Sequence, residues 1–223
     1  MVVAGLQKTS LVDYPGYIAS TIFVGGCNFA CPYCHNKTLL NDGRPHISID
    51  EVLMFLNDRK HFTDSVVVTG GEPTLNAVLP DVLFALKKMG LRVKLDTNGS
   101  NPEMLARILQ DDLADYIAMD IKDTWDNYSR ITDVFTNVEA LQRSIALIKT
   151  MEHYEFRTTV IPDVHSQDDI SIIIETILHG NARRYALQRY KPQADYLQKG
   201  WTAQEWHAFV EPFIREYPFC SIR

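Results

Sequence analysis

The sequence predicts an α/β fold, a partial (β/α)6 barrel, that is, an open three-quarter TIM-like barrel with parallel strands. Apolar segments rich in β-branched residues alternate six times with segments of helical periodicity, an order that gives a parallel sheet with right-handed crossovers. The strand segments are almost continuously apolar, as expected where helices cover both faces of a sheet. Because six strand–helix units are too few for a closed eight-stranded barrel, we expect the barrel to stay open.

The strand pattern occurs at residues 18–24, 66–69, 92–97, 116–121, 155–161 and 184–188. Polar residues cluster at or just beyond the C-terminal ends of these segments. They are Cys27, Gly70, Gly71, Glu72, Asp96, Thr97, Asn98, Asp120, Lys122, Arg157 and Tyr190. A doubly wound sheet has the same order of elements. However, active sites of barrels lie on the rim formed by the C-terminal strand ends, so the position of these polar residues favours the barrel.

Capping residues mark where the helices between the strands begin. Ser48 with Glu51 and Thr202 with Glu205 form capping boxes before apolar periodic segments. Further helix starts are predicted at Asn101-Pro102, at Asn137, and at Asp168 or Asp169.

Length and composition fit one globular domain. The chain has 223 residues, of which 46% are hydrophobic and 22% are charged, which is enough for a sizeable core. We expect a single domain over residues 1–223, with a lead-in over 1–16, the core barrel over 17–192 and a C-terminal helix and tail over 193–223.

The charge and hydropathy patterns argue against nucleic acid and membrane as partners. The net charge is −6 and no basic run occurs, whereas sequence-independent binding to nucleic acid needs a basic surface. The sequence shows no signal-peptide pattern and no apolar stretch of membrane-spanning length. A reducing cytoplasm is therefore the expected compartment.

Three cysteines lie within eight residues, in the pattern Cys27-x-x-x-Cys31-x-x-Cys34. Four thiolates would close a zinc site or fill every iron of a cubane cluster, so three leave one metal position open. Core packing explains such a cluster poorly, and a disulfide is disfavoured without signs of secretion. Structural zinc with His35 or Cys220 as the fourth ligand stays open, although zinc ligands usually come as two separated pairs.

The cysteine motif, with Tyr33 before its last cysteine, resembles the signature of radical S-adenosylmethionine (SAM) enzymes. Residues 68–73 (VTGGEP) resemble the second motif of that superfamily. The resemblance implies a [4Fe–4S] cluster on Cys27, Cys31 and Cys34, with the amino and carboxylate groups of SAM at the fourth iron. In the superfamily, reduction of the cluster cleaves SAM and yields a 5′-deoxyadenosyl radical.

Within the superfamily the chain most resembles the activating enzymes of glycyl radical enzymes. Residues 31–36 (CPYCHN), 95–99 (LDTNG) and 119–122 (MDIK) are typical of them. The opening residues 5–16 (GLQKTSLVDYPG) are similar to those of the activating proteins of anaerobic ribonucleoside-triphosphate reductase. The motifs extend from residue 5 to about residue 192, so the resemblance covers most of the chain.

The resemblance also implies roles for individual residues. The catalytic set is Cys27, Cys31, Cys34 and Lys122, and the residues implied in SAM binding are Tyr33, His35, Gly70, Gly71, Glu72, Asn98, Asp120, Lys122, Arg157 and Tyr190. Gly71 and Glu72 would meet the methionine end of SAM, and Asp120 and Lys122 its carboxylate and ribose. From the residues alone, His35 could equally be a turn residue and Arg157 part of a salt bridge on the rim.

Some relatives hold a monovalent cation beside the SAM carboxylate. The matching positions are Asp96, Thr97, the carbonyl of Ala118 and Asp120, whose oxygen atoms suit a hard cation. Activators of pyruvate formate-lyase usually carry a histidine where this chain has Lys191, after Tyr190. No second set of cysteines follows the first strand, so one cluster is expected, and Cys220 is interpreted as a thiol without a ligand role.

The function implied by the resemblance is generation of a glycyl radical on a partner enzyme, with anaerobic ribonucleoside-triphosphate reductase as the first candidate. The glycine loop of that partner would be the substrate, and a flavodoxin or a ferredoxin-type protein would donate the electron. The alternatives are an activase of the pyruvate formate-lyase type, a small-molecule radical SAM enzyme of the 7-carboxy-7-deazaguanine synthase type, and a non-catalytic iron–sulfur or zinc protein.

Overall fold

The structure is a computed structural model that describes residues 1–37, 47–193 and 196–223. Its described strands are β1 Val3–Ser10, β2 Ala19–Val24, β3 Ser65–Gly70, β4 Arg92–Thr97, β5 Tyr116–Asp120, β6 Tyr154–Val160, β7 Tyr185–Arg189 and β8 Cys220–Ile222. They form one sheet in the order β1 to β8. The first pair, β1 with β2, is antiparallel, and β2–β3, β3–β4, β6–β7 and β7–β8 are parallel.

The described helices are α1 Ile49–Arg59, α2 Leu79–Lys88, α3 Pro102–Gln110, α4 Tyr128–Thr132, α5 Val138–Ile148, α6 Gln167–Ile172 and α7 Ala203–Glu216. A π-helical turn, Ile173–Ile177, continues α6. In the described part of the chain, no helix combines the length and the apolar character that a membrane span requires.

All six predicted strands are confirmed, with ends that differ by at most one residue. The sequence reasoning missed β1 and β8, which extend the sheet at its two ends. Exposed and half-buried residues fill most of β1, and β8 has only three residues, so neither shows a clear apolar period.

The predicted helix starts are confirmed at four of five places. Ser48 and Thr202 each form a capping box, and Asn101 and Asn137 accept from backbone N–H groups of the first turn. The prediction of Asp168 or Asp169 as the cap of α6 is wrong. Ser166 is the cap, because its hydroxyl accepts from Asp169 N at 3.1 Å while the Asp169 carboxylate accepts from Ser166 N at 2.8 Å.

Backbone contacts divide the chain into two compact units. The first unit comprises Met1–Asn28 and Asn36–Ala118, and the second comprises Phe29–His35 and Met119–Arg223. This division runs through the cysteine loop and through β5, so the two units are described separately. The prediction of a single domain stays a prediction.

Each unit has its own buried apolar layer. In the first, the β-branched run 66–68 of β3 is fully buried and α2 packs with Leu79, Leu83 and Leu86 inward. In the second, Phe156 and Leu187 of the parallel pair β6–β7 are fully buried, and α5 contributes Leu141 and Ile148. The polar strand ends described below are fixed on these two layers.

Gly70 ends β3 in a backbone conformation that no other residue could adopt there without strain. Its φ is +111°, and a Cβ atom would lie 2.5 Å from Val24 N and 2.6 Å from Val24 O. Both atoms are backbone and cannot move aside, so the end of β3 approaches the end of β2 this closely only with glycine.

We therefore expect Gly70→Ala to lower the free energy of unfolding by about 3 kcal/mol, since the left-handed φ and the steric overlap each cost roughly 1–3 kcal/mol. The matched control is Gly90→Ala, where φ is +81° but nothing lies within 4 Å of the added Cβ, and where about 1 kcal/mol is expected. Urea unfolding followed by circular dichroism measures both. Equal losses would show that the overlap with Val24 is absent.

Candidate functional site

The cysteine loop follows β2 and crosses the division between the two units. Cys27 belongs to the first unit, and Cys31 and Cys34 belong to the second. All four cysteines, including Cys220, are free of disulfides. Cys31 is buried, Cys27 and Cys34 are half-buried, and Cys34 N donates to Cys31 O at 3.1 Å, which closes a tight turn. Three thiols of this loop are thus available as metal ligands.

In the first unit, the glycine-rich turn after β3 is fixed against the chain just before Cys27. Gly71 N donates to Val24 O and Glu72 N donates to Gly26 O, both at 2.8 Å. Asn36 Nδ2 donates to Gly70 O at 2.9 Å. The predicted residues Gly70, Gly71 and Glu72 are therefore placed next to the segment that carries Cys27.

Glu72 is fully buried, and both of its carboxylate oxygens accept from the protein. Oε1 accepts from Thr74 N at 3.1 Å, Thr74 Oγ1 at 2.6 Å and Thr97 Oγ1 at 2.7 Å, and Oε2 accepts from Asn98 N at 2.6 Å. Burial raises the pKa of Glu72, and these hydrogen bonds lower it in part. Glu72 thus joins the ends of β3 and β4. Its role toward an ammonium group of SAM stays a prediction.

The chain turns sharply after β4 and places Asn98 beside Cys27. The Asn98 Nδ2 atom lies 2.9 Å from Asn28 Oδ1 and 3.8 Å from Cys27 Sγ. The sequence predicts that Asn98 binds SAM, and it does not predict a contact between Asn98 and a cysteine. Only the folded chain brings residues 27 and 98 together.

Lys94 is a site residue that the sequence reasoning missed. Its ammonium group forms an ion pair with Asp96 Oδ1, and its side chain is 1% exposed. Thr69 Oγ1 also donates to Asp96 Oδ2, at 3.4 Å. A lysine within an apolar strand was the available signal, because a buried charge requires a partner.

In the second unit, Asp120 at the end of β5 accepts from two cationic side chains. Arg157 Nε lies 2.9 Å from Asp120 Oδ1, and Lys122 Nζ lies 3.2 Å from Oδ2. Burial alone would raise the pKa of Asp120, but Arg157 and Lys122 outweigh it and lower the pKa to about 2. Tyr128 OH donates to Asp120 O at 3.2 Å and accepts from Lys122 N at 3.2 Å. Asp120, Lys122 and Arg157, all predicted, therefore form one cluster.

Lys122 also faces the second half of the cysteine loop. Its Nζ atom lies 6.0 Å from the centre of the Tyr33 ring. Burial would lower the pKa of Lys122, but Tyr33, Asp120 and Cys31 raise it well above its usual value, so the side chain is an ammonium. Burial raises the pKa of Cys31, and the Lys122 charge opposes that effect. Lys122 thus favours a thiolate at Cys31.

His35 and Tyr190 meet near the end of β7 in the same unit. Their ring centres lie 6.4 Å apart, and Tyr190 is buried with its hydroxyl donating to Leu197 O at 2.7 Å. Gln193, which the sequence reasoning missed, donates from Nε2 to Tyr33 O at 2.6 Å. Burial first, and then Lys191, lower the pKa of His35, so it is neutral at pH 7.

The donor set of the loop fits an iron–sulfur cluster. Its three thiols lie outside disulfides. An amide donor lies beside Cys27 and the Lys122 ammonium group acts on Cys31, and both favour the thiolate of their own cysteine. Among residues 1–37, 47–193 and 196–223, no group of three or more His, Cys, Asp or Glu side chains is arranged to hold a metal ion. A cubane cluster is several atoms wide and takes each cysteine at a different iron, so its ligands need not converge on one point.

The donor set predicted for a monovalent cation fits less well. Asp96 already has the Lys94 ammonium as its partner, and Asp120 already has Arg157 and Lys122. Each carboxylate charge is therefore balanced within its own unit by protein cations. The cation site at Asp96, Thr97, Ala118 and Asp120 stays a prediction, and no function is derived from it.

Solved structures similar to this chain share its fold. SuiB of Streptococcus suis matches with a TM-score of 0.67 and 15% identity over 91% of this chain, which spans 48% of SuiB. QueE of Escherichia coli matches with a TM-score of 0.58 and 17% identity over 100% of this chain and 93% of QueE. These similarities confirm the predicted open, mostly parallel α/β barrel class.

Curated relatives carry more specific information. A protein of Methanocaldococcus jannaschii, named as a candidate glycyl-radical enzyme activating enzyme, is 34% identical over 87% of this chain and 82% of its own length. The pyruvate formate-lyase-activating enzyme of Clostridium pasteurianum is 33% identical over 57% of this chain and 55% of its own length.

The family model described as the radical SAM superfamily matches residues 21–176, which include the cysteine loop, the glycine-rich turn and the Asp120 cluster. With this match and the 34% identity to the M. jannaschii protein, the chain belongs to the radical SAM superfamily and, within it, to the family of glycyl-radical enzyme activating enzymes.

Proposed function

We propose that this protein uses a [4Fe–4S] cluster and SAM to generate a glycyl radical on a partner enzyme. Three observations carry the proposal: the thiols of the cysteine loop lie outside disulfides, an amide donor lies beside Cys27, and the buried Lys122 ammonium group favours the thiolate of Cys31. A structural zinc site would not need these neighbours, because four ligands complete it.

The chain's own residues would hold the two cofactors. Cys27, Cys31 and Cys34 would bind the cluster, which together with SAM supplies the one-electron chemistry that produces a 5′-deoxyadenosyl radical. Gly71 has no side chain, so a ligand can approach the backbone of the turn there, whereas the space beside Gly70 is filled by the end of β2.

The second unit would bind the polar part of SAM. Asp120 stays ionised and is oriented by two cations, so it can accept hydrogen bonds without rearranging. Arg157 is 11% exposed at its side chain and is already paired with Asp120. We therefore assign Arg157 to orienting Asp120, and direct contact of Arg157 with SAM becomes the secondary role.

The partner is proposed to be an anaerobic ribonucleoside-triphosphate reductase. Support comes from residues 5–16, which are similar to the opening of its activators, and from Lys191, which stands where pyruvate formate-lyase activators usually have histidine. An activase of the pyruvate formate-lyase type is the alternative that the C. pasteurianum relative favours. A flavodoxin or ferredoxin-type donor and a cytoplasmic location complete the proposal.

Cys31→Ala should abolish both the cluster and the cleavage of SAM, because one iron loses its thiolate. The matched control is Cys220→Ala, which removes a buried thiol that burial keeps protonated, with a pKa of about 12, and it should retain both. Anaerobic reconstitution measures the cluster by absorption and electron paramagnetic resonance, and chromatography measures 5′-deoxyadenosine. A Cys31→Ala protein with wild-type cluster content and product would refute the proposed site.

The same reconstituted protein identifies the partner class. Incubation with an anaerobic ribonucleotide reductase, or separately with a pyruvate formate-lyase, should give a glycyl-radical doublet only on the reductase. A doublet only on the lyase would refute the reductase as partner and support an activase of the pyruvate formate-lyase type. Cleavage of SAM without a doublet on either enzyme would overturn the activase function and leave a small-molecule radical enzyme.

Asp120 should make the stability of the protein depend on pH in a narrow acidic range. Its pKa is about 2 in the folded chain and 3.8 as the ordinary value, so its contribution is complete above about pH 4 and is lost as the pH falls toward 2. Urea unfolding of the metal-free protein between pH 2 and 5 measures this. Asp120→Asn should show a shallower loss over that range, and an unchanged pH profile would contradict the assignment.

A further inference from the structure

The side chain of Asn98 is held in one orientation by its neighbours. Its Oδ1 atom accepts from Ser100 N at 2.9 Å, and its Nδ2 atom donates to Asn28 Oδ1 at 2.9 Å. If the two atoms were exchanged, the NH2 group of Asn98 would face the N–H of Ser100, and its oxygen would face Asn28 Oδ1. The network therefore settles the amide orientation, with the NH2 group on the side of Cys27.

The second hydrogen of this NH2 group points to the sulfur of Cys27. The distance from Nδ2 to Sγ is 3.8 Å, which is longer than a contact with oxygen because sulfur is the larger atom. Asn98 is 6% exposed, so water competes little for this donor. A thiolate accepts such a bond more strongly than a thiol does.

The backbone of Asn98 is fixed as firmly as its side chain. Asn98 N donates to Glu72 Oε2 at 2.6 Å, and Gly99 N donates to Thr97 Oγ1 at 3.0 Å. Asn28 Nδ2 in turn donates to Ser100 Oγ at 2.9 Å. The residue next to Cys27 and the turn after β4 are therefore tied together, and the donor is held in place before any cofactor binds.

We propose that Asn98 is a positioning residue that raises the reduction potential of the cluster by donating a hydrogen bond to the Cys27 thiolate. Hydrogen bonds to cluster sulfurs withdraw negative charge and favour the reduced state. The proposal rests on the cluster at Cys27, Cys31 and Cys34 and deepens that function: Asn98 sets how readily the electron donor can reduce the site.

The test is the midpoint potential of the reconstituted protein, from redox titration with electron paramagnetic resonance. Asn98→Asp keeps the Oδ1 acceptor, removes the N–H donor and adds negative charge. Asn98→Ala adds no charge but removes the whole amide, that is, both the N–H donor and the Oδ1 acceptor of Ser100 N. Both should lower the reduced-to-oxidised ratio at a fixed potential by about tenfold or more, that is, about 59 mV for one electron. The shift should be larger for Asn98→Asp.

Ser100→Ala is the matched control, because it removes the acceptor of Asn28 and leaves the Asn98 amide and the Ser100 N–H in place. Its potential should equal that of the wild type. Equal potentials in all four proteins, or an equal shift in Ser100→Ala, would overturn the inference. The inference would also be overturned if Ser100→Ala bound a cluster and neither Asn98 variant did. The three cysteines alone should hold the iron, so loss of the cluster would show that Asn98 does more than tune its potential.

The two proposals fail in different ways. A wild-type protein that binds no cluster defeats the proposed function, whatever the variants do. A wild-type protein with a normal cluster and SAM cleavage, but with no change of potential in the Asn98 variants, defeats only the role of Asn98.

Discussion

The buried carboxylate of Glu72 is the interaction on which the site of the first unit depends. It accepts four hydrogen bonds from Thr74, Thr97 and Asn98, and so it joins the turn after β3 to the turn after β4. An ionised group in this position would be very costly without those donors. Through Asn98 the same carboxylate fixes the amide beside Cys27, so one buried charge determines the geometry of both strand ends.

Two other acidic residues of the candidate site are also held by partners within the protein. Asp96 has Lys94 as a partner, and Asp120 has Arg157 and Lys122. Each carboxylate is thus oriented before a ligand arrives, and preorganised charges of this kind need little rearrangement when they act on a bound cofactor. At Asp120 the two protein cations also explain why the carboxylate remains ionised in a half-buried environment.

Much of the fold and part of the site could be predicted from the sequence. The strand β3 contains a run of three valines, and Ser48 and Thr202 begin helices through local hydrogen bonds. Apolar runs and capping residues were therefore sufficient to locate these elements. Contacts that depend on the folded chain were not predictable. The Asn98 donor lies 71 positions from Cys27 in the sequence, and the ion pair of Lys94 with Asp96 becomes evident only in the folded strand. Ser166 was missed because two aspartates two and three positions further on matched the capping pattern equally well.

Hydrogen exchange at Asn98 tests most directly whether Glu72 holds the two strand ends together. In the wild type the backbone N–H of Asn98, which donates to Glu72, should exchange only through global unfolding. In Glu72→Gln it should exchange roughly 10–100 times faster through local opening, since a hydrogen bond to a charged group contributes about 1.5–3 kcal/mol. The exposed capping residue Glu51 supplies the control variant Glu51→Gln, which should leave the Asn98 rate unchanged. An Asn98 amide that exchanges at the wild-type rate in Glu72→Gln would contradict the account.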